Sequence, residues 1–177
     1  MTPSVSSDSG HLLLMLRDLF DNAVLWWGLA ACGVAQLSKL LVELVAHRRW
    51  NPAVLFETGG MPSSHSALMT GTAAGVGWTL GFDDALFALA ATLAFVVLYD
   101  ASGVRRAAGL TAARVNTLSP GGGEKLAAPL KPLKENLGHT RLEVLVGSLL
   151  GPAVALPGLA LVGSPVHLAQ TLSHSLG

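Results

Sequence analysis

From Val144 to Gly163 the chain carries no charged residue, and from Ala85 to Tyr99 it again carries none. A soluble helix needs a polar face at helical periodicity, and Ala85–Tyr99 offers none. Such stretches suit a bilayer, whose core takes about 20 apolar residues per helix, with about 17 as the lower limit, and two of the chain's four are short by that measure. Two further apolar stretches come earlier in the chain. One runs from Ala23 to about Ala46 and is interrupted by Lys39 and Glu43; the other runs from Ala67 to Phe82. The latter is built from small residues, with Gly71/Gly75 and Gly77/Gly81 four apart, a spacing that favours close helix packing in membranes. Pro152 and Pro157 are expected to kink the last stretch. Only 12% of the residues are charged, about half the usual share. That composition excludes a disordered chain, a coiled coil and a nucleic-acid binder. The lone Cys32 excludes an intramolecular disulfide and a thiol metal cluster.

The expected architecture is all-α: a polytopic membrane bundle of about four transmembrane helices, with a half-buried helix over Ala101–Leu118. Residues 1–21 read as a disordered or amphipathic N-terminal segment, 22–163 as one helical membrane domain, and 164–177 as a C-terminal tail. The Pro- and Gly-rich stretch 119–133 reads as a flexible loop. Four spans put residues 47–66 and 100–143 on one side, together with the end of the first helix from Lys39. Ten of the eleven Lys and Arg residues then lie on that side with six acids, and Arg17 lies opposite with five. The zero net charge is thus +4 on one face against −4 on the other. The positive-inside rule makes the basic face of this multi-pass protein cytoplasmic, or stromal in a plastid.

Three blocks on that face could carry chemistry. Gly59-Gly60-Met61-Pro62-Ser63-Ser64-His65-Ser66 ends a loop and opens a helix, where free amides suit an anion and a histidine can act as acid or base. Its plain reading is a helix start with Ser63 or Ser64 as N-cap. Gly138-His139-Thr140-Arg141-Leu142-Glu143 opens the last helix and sets Glu143 four residues after His139, within reach of orienting its imidazole. The competing reading is a capping box, Thr140-x-x-Glu143. Tyr99-Asp100-Ala101-Ser102-Gly103-Val104-Arg105-Arg106 closes the third apolar stretch, and arginine forks suit phosphate. Lys39 sits inside an apolar helix, where a charge calls for a partner or a polar cavity. Two histidines, fixed cations and two helix starts on one face suit a phosphoryl group. No Asp cluster, Walker-type loop or HExxH suggests a metal or nucleotide mechanism.

GGMPSSHSA, YDASGVRRAAG and LKENLGHTRLEVLVG resemble the divergent branch of the type 2 phosphatidic acid phosphatase family, related to acid phosphatases and vanadium-dependent haloperoxidases, over roughly residues 36–151. The resemblance implies that His139 is a nucleophile forming a phosphohistidine, with Glu143 orienting it. It further implies that His65 protonates the leaving group while Lys39, Ser63 and Ser64 hold the phosphate. This chain departs from the main family's signature at several points. Ser64 stands for Gly, Glu143 for Asp, Ala46 for the first motif's Arg and Leu133 for the third motif's Arg. Arg105 or Arg106 could supply the missing guanidinium, and Lys131 and Lys134 are further candidates.

The expected activity is hydrolysis of a lipid or isoprenoid phosphate at a membrane surface, without metal or other cofactor, with vanadate acting as a phosphate mimic. A non-catalytic phospholipid-binding or scaffold protein is the alternative, and a vanadate-dependent haloperoxidase a weaker one. The partners expected are the bilayer and a phosphorylated lipid, not nucleic acid. The small-residue faces suit packing within the chain or a homo-oligomer equally well.

Overall fold

The computed structural model describes residues 5–48, 50–56, 59–118 and 132–175. These are helical throughout their regular parts: α1 (Val5–Asp21), α2 (Ala23–His47), α3 (Ser64–Leu80), α4 (Ala85–Tyr99), α5 (Arg105–Leu118), α6 (Arg141–Leu161) and α7 (Pro165–Ser175). A short 3-10 turn spans Pro52–Phe56, and a π-helical turn, Asp100–Val104, joins α4 to α5.

Side-chain caps start five of the helices, α7 among them through Ser164, which accepts from the His167 amide at 3.1 Å. Asn22 accepts from the Leu25 amide at 3.0 Å and Asp84 from Leu86 at 2.7 Å. Ser63 accepts from Ser66 at 3.3 Å and Thr140 from Glu143 at 3.2 Å. Each satisfies an amide that the helix itself cannot, worth about 1 kcal/mol per cap.

Helix α3 is the centre of the bundle and packs against α2, α4 and α6. Its buried positions are small, among them Ala67, Gly71, Ala73 and Gly75, and the core cluster is Ala31, Ala35 and Ala67. Among the described residues the largest fully buried side chains are Ser63 and Ser66. The helices meet backbone to backbone. A Cβ on Gly151 would stand 2.4 Å from the Ala67 carbonyl oxygen and 2.6 Å from the Gly71 nitrogen, so α6 can lie this close to α3 only without a side chain there. Large apolar residues point outward instead, including Leu86, Leu89, Leu93 and Phe95 of α4 and Leu145 and Leu149 of α6. Small residues inside and large ones outside is the packing expected in lipid, whereas a soluble monomer seldom exposes so much contiguous apolar surface.

Among the described residues, three segments are long and apolar enough to cross a membrane: Ala23–Val45, Ala85–Thr117 and Arg141–Leu161. The expected fourth, α3, has 17 residues, about 25 Å at 1.5 Å per residue against a core of about 30 Å. It is the helix the others surround. Within the expected N-terminal segment Val5–Asp21 form a helix, and so does most of the tail from Pro165. The helix after Tyr99 is no separate element: the π-helical turn carries α4 into α5, and Ala85–Thr117 runs on for 33 residues. Along α5 the buried positions among the described residues are Gly109 and Ala112. Pro152 and Pro157 lie within α6. The expected loop 119–133 falls outside the described residues except for 132 and 133.

Candidate active site

Alternating helix directions bring the end of α2, the start of α3, the end of α4 and the start of α6 to one end of the bundle. There a cavity of about 150 Å³ is lined by His65, Asp100, Arg105, Lys134 and His139, with Val97, Ala101 and Leu137 as apolar wall.

His139 is the most firmly placed of these. Its amide donates to the Ala101 carbonyl at 2.9 Å, tying the residue to the π-helical turn. The preceding Gly138 has φ +78°, and a Cβ there would lie 2.3 Å from the Arg106 nitrogen and 2.7 Å from the Arg105 carbonyl carbon. Only glycine meets both demands, a left-handed backbone and contact with another main chain. The His139 side chain is 5% exposed, and its Nε2 is buried with no hydrogen-bond partner. A buried polar atom left unpaired costs about 1–3 kcal/mol, so it marks a position that awaits a partner.

His65 stands on the first turn of α3 and is exposed. The chain enters this helix through a cis peptide at Met61–Pro62 and through Ser63, which is fully buried. The Ser63 hydroxyl accepts from both the Ser66 amide, at 3.3 Å, and the Ser66 hydroxyl, at 2.8 Å. Its amide donates to the Glu143 carbonyl at 3.0 Å, and a Cβ on Gly147 would sit 2.3 Å from its oxygen. Ser63 is thus the N-cap of α3 through its hydroxyl, while its backbone amide ties α3 to α6. Ser64 follows at 4% exposure. Lys39, at 3%, is buried in α2, with Gly60 beside its aliphatic stem.

Glu143 also departs from expectation. Its Oε2 accepts from the Thr140 amide at 2.9 Å, and the Thr140 hydroxyl accepts from the Glu143 amide. This is the reciprocal capping box. Its carboxylate acts on His139 through its field, and the residue's position comes from the backbone tie to Ala101.

The two histidines lie outside the apolar stretches 67–82 and 144–163, and each is held below its ordinary value of 6.5. For His139 burial is the main cause, opposed by the Glu143 carboxylate and reinforced by Lys39, His65 and Arg105. For His65 partial desolvation leads, followed by the positive charges of Arg105 and Lys39. His139 therefore presents a neutral imidazole at neutral pH. An anion between the cations and His65 would offset their field and favour its protonated form.

The consecutive arginines part company. Arg105 faces the histidines and is held by Asp100, Nε to Oδ2 at 2.5 Å. Arg106 lines a second, larger cavity of about 790 Å³ instead. Lys134 borders both, whereas Lys131 is outside the described residues. Of the two candidates for the missing guanidinium, Arg105 is the one beside the histidines.

Several contributors went unseen in the sequence. Asp100 and Arg105 are five apart, and an ordinary helix would set them on different sides; the π-helical turn, with the Arg105 amide bonded to the Asp100 carbonyl, brings them together. Asn116 clasps the returning chain, donating to the Leu133 carbonyl at 2.8 Å and accepting from the Leu133 amide at 2.9 Å. Gln36, one turn before Lys39, donates to the Leu55 carbonyl at 2.8 Å and keeps a buried, unpaired Oε1. A lone amide inside an apolar helix was the available signal. No group of three or more His, Cys, Asp or Glu residues suited to a metal ion occurs among the described residues.

No solved structure matches the chain. It is 38% identical over 147 residues to the uncharacterized membrane protein YuiD of Bacillus subtilis (strain 168), an overlap of 76% of this chain and 92% of that protein. The family match starts ahead of the three blocks, at the border of α1 and α2, and ends inside α6. Over residues 20–154 the sequence fits the Divergent PAP2 family, and the chain belongs to that family.

Proposed function

We propose that this membrane protein hydrolyses a phosphate ester or diphosphate of a lipid or isoprenoid, without metal, through a phosphohistidine on His139. One observation carries the reading: a buried histidine whose Nε2 has no partner lines a small cavity with a second histidine and an arginine. Nε2 of neutral His139 attacks phosphorus in line, and the ester oxygen leaves with a proton from His65. Water then attacks the phosphohistidine, giving up its proton to His65, and inorganic phosphate departs. Arg105, Lys39 and Lys134 stabilise the equatorial oxygens in both steps, and charge neutralisation of this kind supplies most of the catalysis in phosphoryl transfer. The site sits on the basic face, which is cytoplasmic by the positive-inside rule.

A non-catalytic phospholipid-binding role is the second reading. It is favoured by the Ser63 hydroxyl and the Glu143 carboxylate, both engaged in helix capping. Purified protein assayed on lipid phosphates in the presence of chelator separates the two. The expected result is phosphate release by the wild type, inhibition by vanadate, and none from His139→Ala. Equal release by both proteins would overturn the phosphohistidine route, and binding without release would favour the second reading.

A further inference from the structure

Two helices stand apart from the bundle. α2, α4 and α6 gather on α3, whereas α1 and α7 pack mainly on each other. Both lie at the end opposite the histidine cavity, α1 just before the start of α2 and α7 just after the end of α6. Asn22, with φ −74° and ψ 86°, breaks the helix between α1 and α2, and Gly163, with φ +76°, turns the chain from α6 into α7. The Ser164 hydroxyl donates to Asp21 and joins the two turns. The family match over residues 20–154 leaves nearly all of α1 and all of α7 outside it, so the pair is an addition to the shared domain.

Each of the two helices has an apolar and a polar side. At about 100° per residue, Leu12, Leu13, Met15, Leu16, Leu19 and Phe20 share one side of α1, and His11, Arg17, Asp18 and Asp21 share the other; Leu14 is the exception. On α7 Pro165, Val166, Leu168, Ala169 and Leu172 share a side opposite His167, Gln170, Thr171 and His174. The apolar sides meet in a groove of about 430 Å³ lined by Phe20, Pro165, Val166 and Ala169.

Length and exposure together decide where such helices belong. α7 has 11 residues, about 16 Å, and α1 has 17, about 25 Å; neither crosses a core of about 30 Å, and α1 carries three charges in its last turns. Yet Leu12, Leu13, Met15, Leu16 and Leu19 are 43–69% exposed, and Leu168 and Leu172 are likewise uncovered. These side chains continue the lipid-facing surface of the bundle past the ends of α2 and α6. The boundary is marked by aromatic residues, which favour the membrane–water interface: Phe20, Trp26 and Trp27 at the turn between α1 and α2, and exposed Trp78 and Phe82 at the end of α3.

We infer that α1 and α7 form an interfacial pair, lying in the headgroup layer of the leaflet opposite the histidine cavity with their shared apolar side on the acyl chains. The partner is a zwitterionic or uncharged lipid surface. Arg17 is the one basic charge of residues 5–21 against Asp8, Asp18 and Asp21, and residues 165–175 contain no Lys, Arg, Asp or Glu, so nothing here draws anionic lipid. The inference does not depend on the chemistry at His139.

The test is fluorescence quenching of the full chain in phosphatidylcholine nanodiscs, with Cys32→Ser as background and one label at a time. Labels on Leu16→Cys and Leu168→Cys should be quenched severalfold more by nitroxides near the headgroup than by nitroxides at the bilayer centre, and little by aqueous iodide. Labels on His11→Cys and Thr171→Cys should show the reverse preference, for iodide. Equal iodide quenching on both sides would leave the helices in water, and strongest quenching at the bilayer centre would make them spans; either result overturns the inference. Adding phosphatidylglycerol should leave the depth unchanged, and a marked deepening would overturn the assignment of the lipid. Discs holding a single copy should protect Leu16→Cys from iodide as fully as discs holding two. Protection confined to two copies would mean that a second chain covers the apolar side, and would equally overturn it.

Discussion

The two ends of the bundle handle polar groups in opposite ways. At the end where α1 and α7 meet, polar groups find partners within the chain. Trp27 Nε1 donates to the Gly163 carbonyl at 2.8 Å, and Trp26 Nε1 to the Leu19 carbonyl at 3.1 Å. The Ser164 hydroxyl donates to Asp21 and accepts from the His167 amide. Phe20 stacks on Trp26. At the other end His139 Nε2 and Gln36 Oε1 are buried without partners, and Arg106 and Lys134 face a cavity. Both ends are made of helix termini and short connections, so the difference is not one of secondary structure. Closing an end stabilises the fold. Leaving one unsatisfied costs stability, and a bound ligand returns it.

That contrast can be broken most directly at His139. His139→Ala should lower phosphate release by more than about a thousandfold, as expected for loss of a covalent nucleophile, while thermal unfolding in detergent stays close to wild type or rises. A large fall in melting temperature would make His139 a structural residue and erase the contrast. Arg105→Ala comes next, with a loss of about a hundredfold in kcat/KM on the scale of one transition-state donor; Asp100 would be left without its partner, so Arg105→Lys serves as the control that retains charge.

A smaller effect sharpens the electrostatics. Only deprotonated His139 can attack, so activity falls on the acid side as pH drops through its folded pKa, which lies below 6.5. Glu143 is the one neighbour raising that value. Glu143→Gln keeps an oxygen for the Thr140 amide and loses the charge, so the acid limb of the rate profile should move to lower pH. An upward movement would contradict the sign of this coupling. The smallest change belongs to the closed end. Trp27→Phe removes the bond to the Gly163 carbonyl and should cost about 1 kcal/mol of stability without altering turnover, as read by parallel melting and activity assays.

Much of this was legible in the residues. The charge-free runs mark membrane helices, and the three blocks around His65, Arg105 and His139 do come together at one end. Ser63 and Glu143 both cap their helices, as their local readings had it, because a hydroxyl or carboxylate at a helix start has a backbone amide within reach. What escaped was direction. Arg105 and Arg106 are adjacent letters, but neighbours on a helix point about 100° apart, and adjacency could not say which faced the histidines. The length of α3 was likewise readable from its apolar run, but not that three longer helices would surround it. The tie between His139 and Ala101 joins residues far apart in the chain, a relation that no local pattern encodes.

The π-helical turn has a further consequence. Around an ideal α-helix, residues five apart are separated by about 140°; here the wider turn brings Asp100 and Arg105 to the same side. If the turn tightened to α geometry with its residues unchanged, Arg105 would swing about 100° away from the histidines. The angular setting of the two arginines thus depends on how many residues lie between Tyr99 and Arg105 as much as on which residues they are. An insertion or deletion there would act like a slipped gear tooth, re-indexing which guanidinium meets which cavity while every chemical group in the site stayed the same.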